Sequence, residues 1–160
     1  MLACDHTSVG LIVRRGHSVL LIERRLPPIG FAPPAGHVDN HGSFELAAIE
    51  ELKEEVGLLS EAIKLIAEGR RDNSCRRAGG TWHYWKIFEV RVKGAVHPNK
   101  REVASFVWAS PTDVDALAER TRDYLAGKIG EHEWSARPGL EPVWLSWLPL
   151  IGLGGNDGIL

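Results

Sequence analysis

Four glutamates crowd into eight residues in the stretch EELKEEVG, residues 50–57. Glu50 and Glu54 stand four apart, and so do Glu51 and Glu55. On a helix this stacks like charge on like charge, a loss of roughly 0.2–0.5 kcal/mol per pair. A solvated helix usually interleaves lysine with glutamate at that spacing; here Lys53 points elsewhere and leaves the cluster unneutralised. Carboxylates converging from one helix face suit a hard divalent cation. Mg²⁺ takes oxygen ligands, keeps several waters and commonly shares one or two carboxylates with substrate phosphates. The ion would supply the charge that makes the crowding tolerable.

A helix must carry these side chains. It is expected to start near Ser43 and to stop at Gly57, where glycine suits a C-terminal cap. At about 100° per residue, with Glu50 as zero, Glu54 falls near 40°, Glu51 near 100° and Glu55 near 140°. Ala48, Leu52, Val56, Ile49 and Leu46 cover roughly 160° to 320°. This predicts a core face and a separate carboxylate face, with Ala47 leaving open space among the glutamates. The preceding LPPIGFAPPAGHVDNHG (26–42) holds four prolines and three glycines and reads as a loop.

The remaining elements follow from alternation and punctuation. Residues 7–15 and 18–25 are β-rich runs joined by Gly16-His17 and predict a hairpin. Residues 63–73 predict a strand leading into a basic loop. Residues 80–92 predict a long central strand with bulky residues on both faces, and 105–110 a short strand. Residues 111–128 predict a helix capped by Thr112 or Asp113. Residues 136–153 are apolar and broken by prolines. Together these elements predict one α/β domain over 1–153, a mixed sheet with helices packed on it, and a loose tail at 154–160.

Composition narrows the setting. With 160 residues, 44% apolar and 25% charged, the chain is long enough for a real core. A net charge of −2 gives no pull toward a nucleic-acid polymer or an anionic membrane. No apolar run approaches the ~20 residues that span a bilayer, and the first ten residues lack the pattern of a signal peptide. The two cysteines, Cys4 and Cys75, are too few for a disulfide scaffold and show no metal-ligand spacing, so a cytoplasmic location is expected.

Several side chains outside the acidic helix carry an open choice. Arg70, Arg71, Arg76 and Arg77 cluster around a strand end, either as a basic surface loop or as bidentate contacts to substrate phosphate, with Arg71 the substrate-binding candidate. His37 and His41 share one loop; without a third convergent ligand they are expected to be structural or solvated. Trp82, Tyr84 and Trp85 are expected in the core, with base stacking the alternative. Trp134, Trp144 and Trp147 are expected either to cover a pocket or to form a homodimer interface.

The acidic stretch belongs to a longer pattern that resembles the Nudix hydrolase signature: Gly, five residues, Glu, seven residues, then Arg-Glu-apolar-any-Glu-Glu-any-Gly-apolar. Gly36 matches its first position and Glu51 to Leu58 its last eight. Pro34 to Asp39 is similar to the usual lead-in and Ala47-Ala48 to the helix start, while Glu102 and FVWAS resemble a frequent later strand. The resemblance spans roughly 7–127. Two positions depart: the first Glu falls on Gly42 and the Arg on Glu50.

The resemblance implies a Nudix-like single domain, its mixed β-sheet sandwiched between helices. It implies divalent-metal-dependent hydrolysis of a phosphoanhydride in a nucleoside diphosphate linked to another group. Mg²⁺ (or Mn²⁺) would be the cofactor and a nucleotide-type small molecule the partner. By position Glu54 and Glu55 would be the main metal ligands, and Glu51 a further ligand or the base. Glu102 is a further candidate for metal or base, and Gly36 a backbone position in the substrate site. Either Glu50 compensates for the missing carboxylate, or the site binds metal poorly and the chain is a nucleotide-binding module with weak or no chemistry.

Overall fold

The computed structural model describes residues 2–153; the tail expected at 154–160 lies outside the described residues. β1 (Thr7–Ile12) lies at the centre of the first sheet. It runs parallel to β7 (His83–Lys93), with Thr7 opposite Tyr84 and Ile12 opposite Glu89. β5 (Ala35–Gly36) pairs antiparallel on the other edge of β1, and β6 (Leu59–Arg71) pairs antiparallel with β7. The expected first hairpin therefore forms only in part. The run 7–15 splits at Val13, and only β2 (Arg14–Arg15) turns back through Gly16 onto β3 (Ser18–Arg24). Gly16 takes φ +60, which a glycine adopts freely. β3 also pairs with β4 (Phe31–Ala32) and β8 (Val103–Ala109), both antiparallel, in a second sheet.

Side chains alternate across these strands with a period of two. Val9, Leu11, Leu20, Ile22, Phe88 and Val90 face α1 (Phe44–Val56). Ile12, Val19, Leu21, Trp85 and Ile87 face α2 (Pro111–Leu125) and α4 (Trp144–Trp147). The strands thus form a layer between helices, as expected. The cap of α2 lies two or three residues earlier than its sequence suggests. Ser110 is the cap, and Asp113 is its reciprocal partner in a capping box, closed by bonds of 3.1 and 2.9 Å.

The C-terminal tryptophans form neither a lid nor a free subunit surface. Trp134, just after the start of α3 (Glu131–Ala136), is buried, and Trp144 and Trp147 are fully so. Trp144 meets Trp85 edge to face at 5.5 Å, a geometry worth roughly 0.5–1.5 kcal/mol beyond its buried area. It also seats over Gly10, where a Cβ would come within 2.5 Å of the indole. Among the described residues no helix is long and apolar enough to cross a membrane.

Candidate active site

α1 begins and ends where its local sequence dictates. The Ser43 hydroxyl accepts the Leu46 N–H at 3.0 Å. Gly57 closes the helix at φ +70, and its N–H reaches the Lys53 carbonyl at 3.0 Å. The face it buries differs from expectation. Ala47, Ala48, Leu52, Glu55 and Val56 are buried, whereas Leu46 and Ile49 are exposed. The inward arc is turned toward the glutamates, so Glu51 and Glu55 enter the interior between two alanines and a leucine. Small side chains at Ala47 and Ala48 let the helix approach β1 and β5 closely.

β5 forms the floor beneath these carboxylates. Glu55 accepts the Ala35 N–H at 3.1 Å. A Cβ at Gly36 would run into the Glu51 carboxylate, so glycine is required there by close approach. Glu51 and Glu54 also meet His41, with ligand atoms of all three within 4.8 Å of one another. Burial, then the charges of Glu55, Glu54 and Glu102, push Glu51 up to about 8. Burial pushes Glu55 up to about 8, against the Ala35 N–H and the Arg24 charge. Among the described residues none of Glu51, Glu54, Glu55 and Glu102 forms an ion pair.

Glu51, Glu55 and Glu102 line one side of a cleft of about 350 Å³. Arg24, Arg76 and Arg77 line it as well. Arg77 is fixed by a bidentate pair to Asp39, with one bond at 2.8 Å. Arg76 is exposed and unpaired among the described residues. Arg71 stands outside this cleft. It lies over the Trp147 ring at 3.7 Å, donates to the Ser146 hydroxyl at 2.9 Å, and lines an adjoining groove that shares Asn73, Ser74 and Glu141 with the cleft. Trp85 is buried as expected, yet it reaches the cleft and donates its indole N–H to Asn73 at 3.0 Å. Tyr84 points to the other face and bonds Glu68.

Glu141 is a site residue that no sequence signal marked. It sits in an ordinary apolar, proline-rich stretch, and its backbone bond to Phe31 brings it to the cleft. Burial raises its carboxyl, and Arg24 at 3.8 Å opposes that. For His37 the structure supplies what the sequence did not show. This histidine has convergent partners, because Cys4, Cys75 and His83 come together with it, although none is near it in sequence. Of the two departures from the family pattern, Gly42 is exposed at φ +100, a conformation that a glutamate there would strain. Glu50 is half-buried and joins neither the cleft lining nor the carboxylate group.

The family model for the NUDIX domain matches residues 5–127. The chain belongs to the Nudix family. Nudix hydrolases in general cleave nucleoside diphosphates linked to a further group and use divalent metals. Solved Nudix structures share the fold. A MutT Nudix hydrolase from Burkholderia pseudomallei is 21% identical with a TM-score of 0.59, over 67% of this chain and 84% of that one. The dihydroneopterin triphosphate pyrophosphohydrolase of E. coli is 18% identical with a TM-score of 0.60, over 72% and 88%. A Nudix hydrolase from Nitrosomonas europaea is 23% identical with a TM-score of 0.58, over 77% and 90%. The signature helix of this Nudix domain is α1, and its lead-in glycine is Gly36 on β5.

Proposed function

We propose that this Nudix domain is a divalent-metal-dependent pyrophosphohydrolase acting on a nucleotide-type substrate. One observation carries the reading: Glu51, Glu55 and Glu102 line one cleft, Glu54 lies within 4.8 Å of Glu51, and among the described residues no cation is ion-paired to any of them. An all-oxygen donor set of that kind fits a hard divalent ion. Glu51, Glu54 and Glu55 would hold it, with Glu102 beside them. When bound, Mg²⁺ (or Mn²⁺) supplies neutralisation of phosphate charge and acidification of water.

The chain's own groups supply the rest. Arg76 and Arg24 offer guanidinium donors to phosphate oxygens and orient the anhydride. Arg71 serves a part of the substrate that extends into the adjoining groove. Glu51, as the alternative to ligating the ion, would take the proton of the attacking water. Water then bonds to phosphorus, the phosphoanhydride P–O bond breaks, and the leaving phosphate departs. The Glu55 bond to Ala35 keeps its carboxylate aimed at the same space.

A panel of nucleoside triphosphates, nucleotide sugars, dinucleoside polyphosphates and ADP-ribose, assayed with and without Mg²⁺, tests this. Metal-dependent hydrolysis of one class is expected, with Glu54→Gln lowering turnover at least about tenfold. A second reading rests on Gly42 and Glu50, which leave the site one carboxylate and one arginine short of the family pattern. Silence across the panel with tight binding of one ligand would favour that reading, a nucleotide-binding module.

A further inference from the structure

A second set of potential ligands, of different chemistry, adjoins the cleft, and His37, Cys75 and His83 line it. Cys4, His37, Cys75 and His83 each offer one ligand atom, and all four atoms lie within 4.8 Å of one another. Cys4 Sγ stands 3.6 Å from His37 Nε2 and 3.3 Å from His83 Nε2. A tetrahedral ion with bonds near 2.3 Å to sulfur and 2.0–2.1 Å to nitrogen requires ligand-to-ligand separations of roughly 3.3–3.8 Å. The two measured separations fall in that range. We propose that these four side chains form a structural zinc site, distinct from the carboxylate site on α1.

The surroundings are built for thiolate ligands. Each sulfur accepts the backbone N–H two residues later, His6 to Cys4 at 3.3 Å and Arg77 to Cys75 at 3.4 Å. The same device at both cysteines places a positive dipole beside each sulfur, as the outer partners of a metal site do. The Cys75 turn closes through its N–H to the Gly80 carbonyl at 2.8 Å, and a Cβ at Gly80 would collide with Cys75 Sγ. The Cys4 segment is tied to the same turn by the bond from its N–H to Ala78 at 2.8 Å. Sulfur and imidazole ligands favour zinc over the oxygen-seeking Mg²⁺. Four protein ligands with no open position mark a structural site.

The four ligands come from the N-terminal segment, the residue after β5, the β6–β7 loop and the first residue of β7. His37 adjoins Gly36, which abuts Glu51, and Cys75 adjoins Arg76 and Arg77. The ion would therefore clip the arginine-bearing loop at a set distance from the carboxylates. The site stands whether or not nucleotides are hydrolysed.

Metal content of the untagged full chain after gel filtration tests it. About one zinc per chain is expected. Cys4→Ser, Cys75→Ser and His83→Ala should each lower retained zinc about tenfold or more, while Glu51→Gln and Glu54→Gln leave it unchanged. Wild-type protein loaded with Co²⁺ provides a readout that needs no variant: tetrahedral d–d absorption with thiolate-to-cobalt charge transfer. Absence of both zinc and the charge-transfer band would overturn the proposal. So would a Cys4–Cys75 disulfide in protein prepared under reducing conditions, or zinc retained equally in all five variants.

Discussion

Replacing Glu55 with glutamine should stabilise the protein when no divalent metal is present. Glu55 is 5% exposed, and its carboxyl is pushed from an ordinary value of 4.5 up to about 8. The folded chain therefore holds a proton that the unfolded chain releases. Below about pH 4.5 both states are protonated and the group is neutral in its effect. As pH rises toward 8 the unfolded state ionises first, and stability falls. Just over three pH units of that difference are expressed at pH 8, at about 1.4 kcal/mol each, so the loss reaches about 4 kcal/mol. Glutamine removes the ionisation, keeps an oxygen for the Ala35 N–H, and relieves Glu51 of the largest single charge acting on it. Glu55→Gln is expected to exceed wild type by about 2–4 kcal/mol at pH 8 in Mg²⁺-free buffer and by little at pH 5. Urea titration followed by tryptophan fluorescence measures it. Added Mg²⁺ should then stabilise wild type more than the variant. If the variant is no more stable at pH 8, or its advantage is the same at both pH values, the buried carboxylate does not oppose folding and the reasoning fails.

Three further substitutions separate the roles of neighbouring residues. Gly36→Ala places a methyl against the Glu51 carboxylate and should weaken Mg²⁺ binding about tenfold, or about 1.4 kcal/mol; calorimetric titration reads this, and unchanged affinity would show that Glu51 moves freely. Glu50→Ala should leave kcat within about twofold, because Glu50 lies outside the carboxylate group; a tenfold drop in a steady-state assay would return it to the site. Arg71→Ala loses its place over Trp147 and its bond to Ser146, a loss of about 1–2 kcal/mol. Thermal denaturation should show a Tm lower by roughly 2–8 °C, and an unchanged Tm would argue against the packed geometry.

Features set by short-range physics were legible in the sequence. The limits of α1 depend on the Ser43 hydroxyl and on the freedom of Gly57, both decided within a few residues. The strand runs appear as alternation, and the central place of β7 as bulky residues on both its faces. The spacing of Glu51, Glu54 and Glu55 along one helix needs only helical geometry. That set pointed to a divalent cation, and the resemblance of the longer pattern from Gly36 to Leu58 to the Nudix signature implied the phosphate chemistry.

What escaped the sequence depends on contacts between distant segments. The wheel alone assigned Leu46 and Ile49 to the core, because hydrophobicity scores ignore what the helix leans on. Packing of small Ala47 and Ala48 on the β1–β5 edge turned the helix instead and drew two carboxylates inward. Val13 ends one strand and hands the chain to a second sheet, a choice made by parallel pairing with a strand 77 residues away, Thr7 opposite Tyr84. That same pairing sets the N-terminal segment beside the start of β7. It gathers Cys4, His37, Cys75 and His83 from four separate places into a single cluster. Residue types and local periods determined the acidic helix and the spacing of its carboxylates. The long-range register decided which carboxylates are buried, that Glu141 joins them, and that two isolated cysteines meet two histidines.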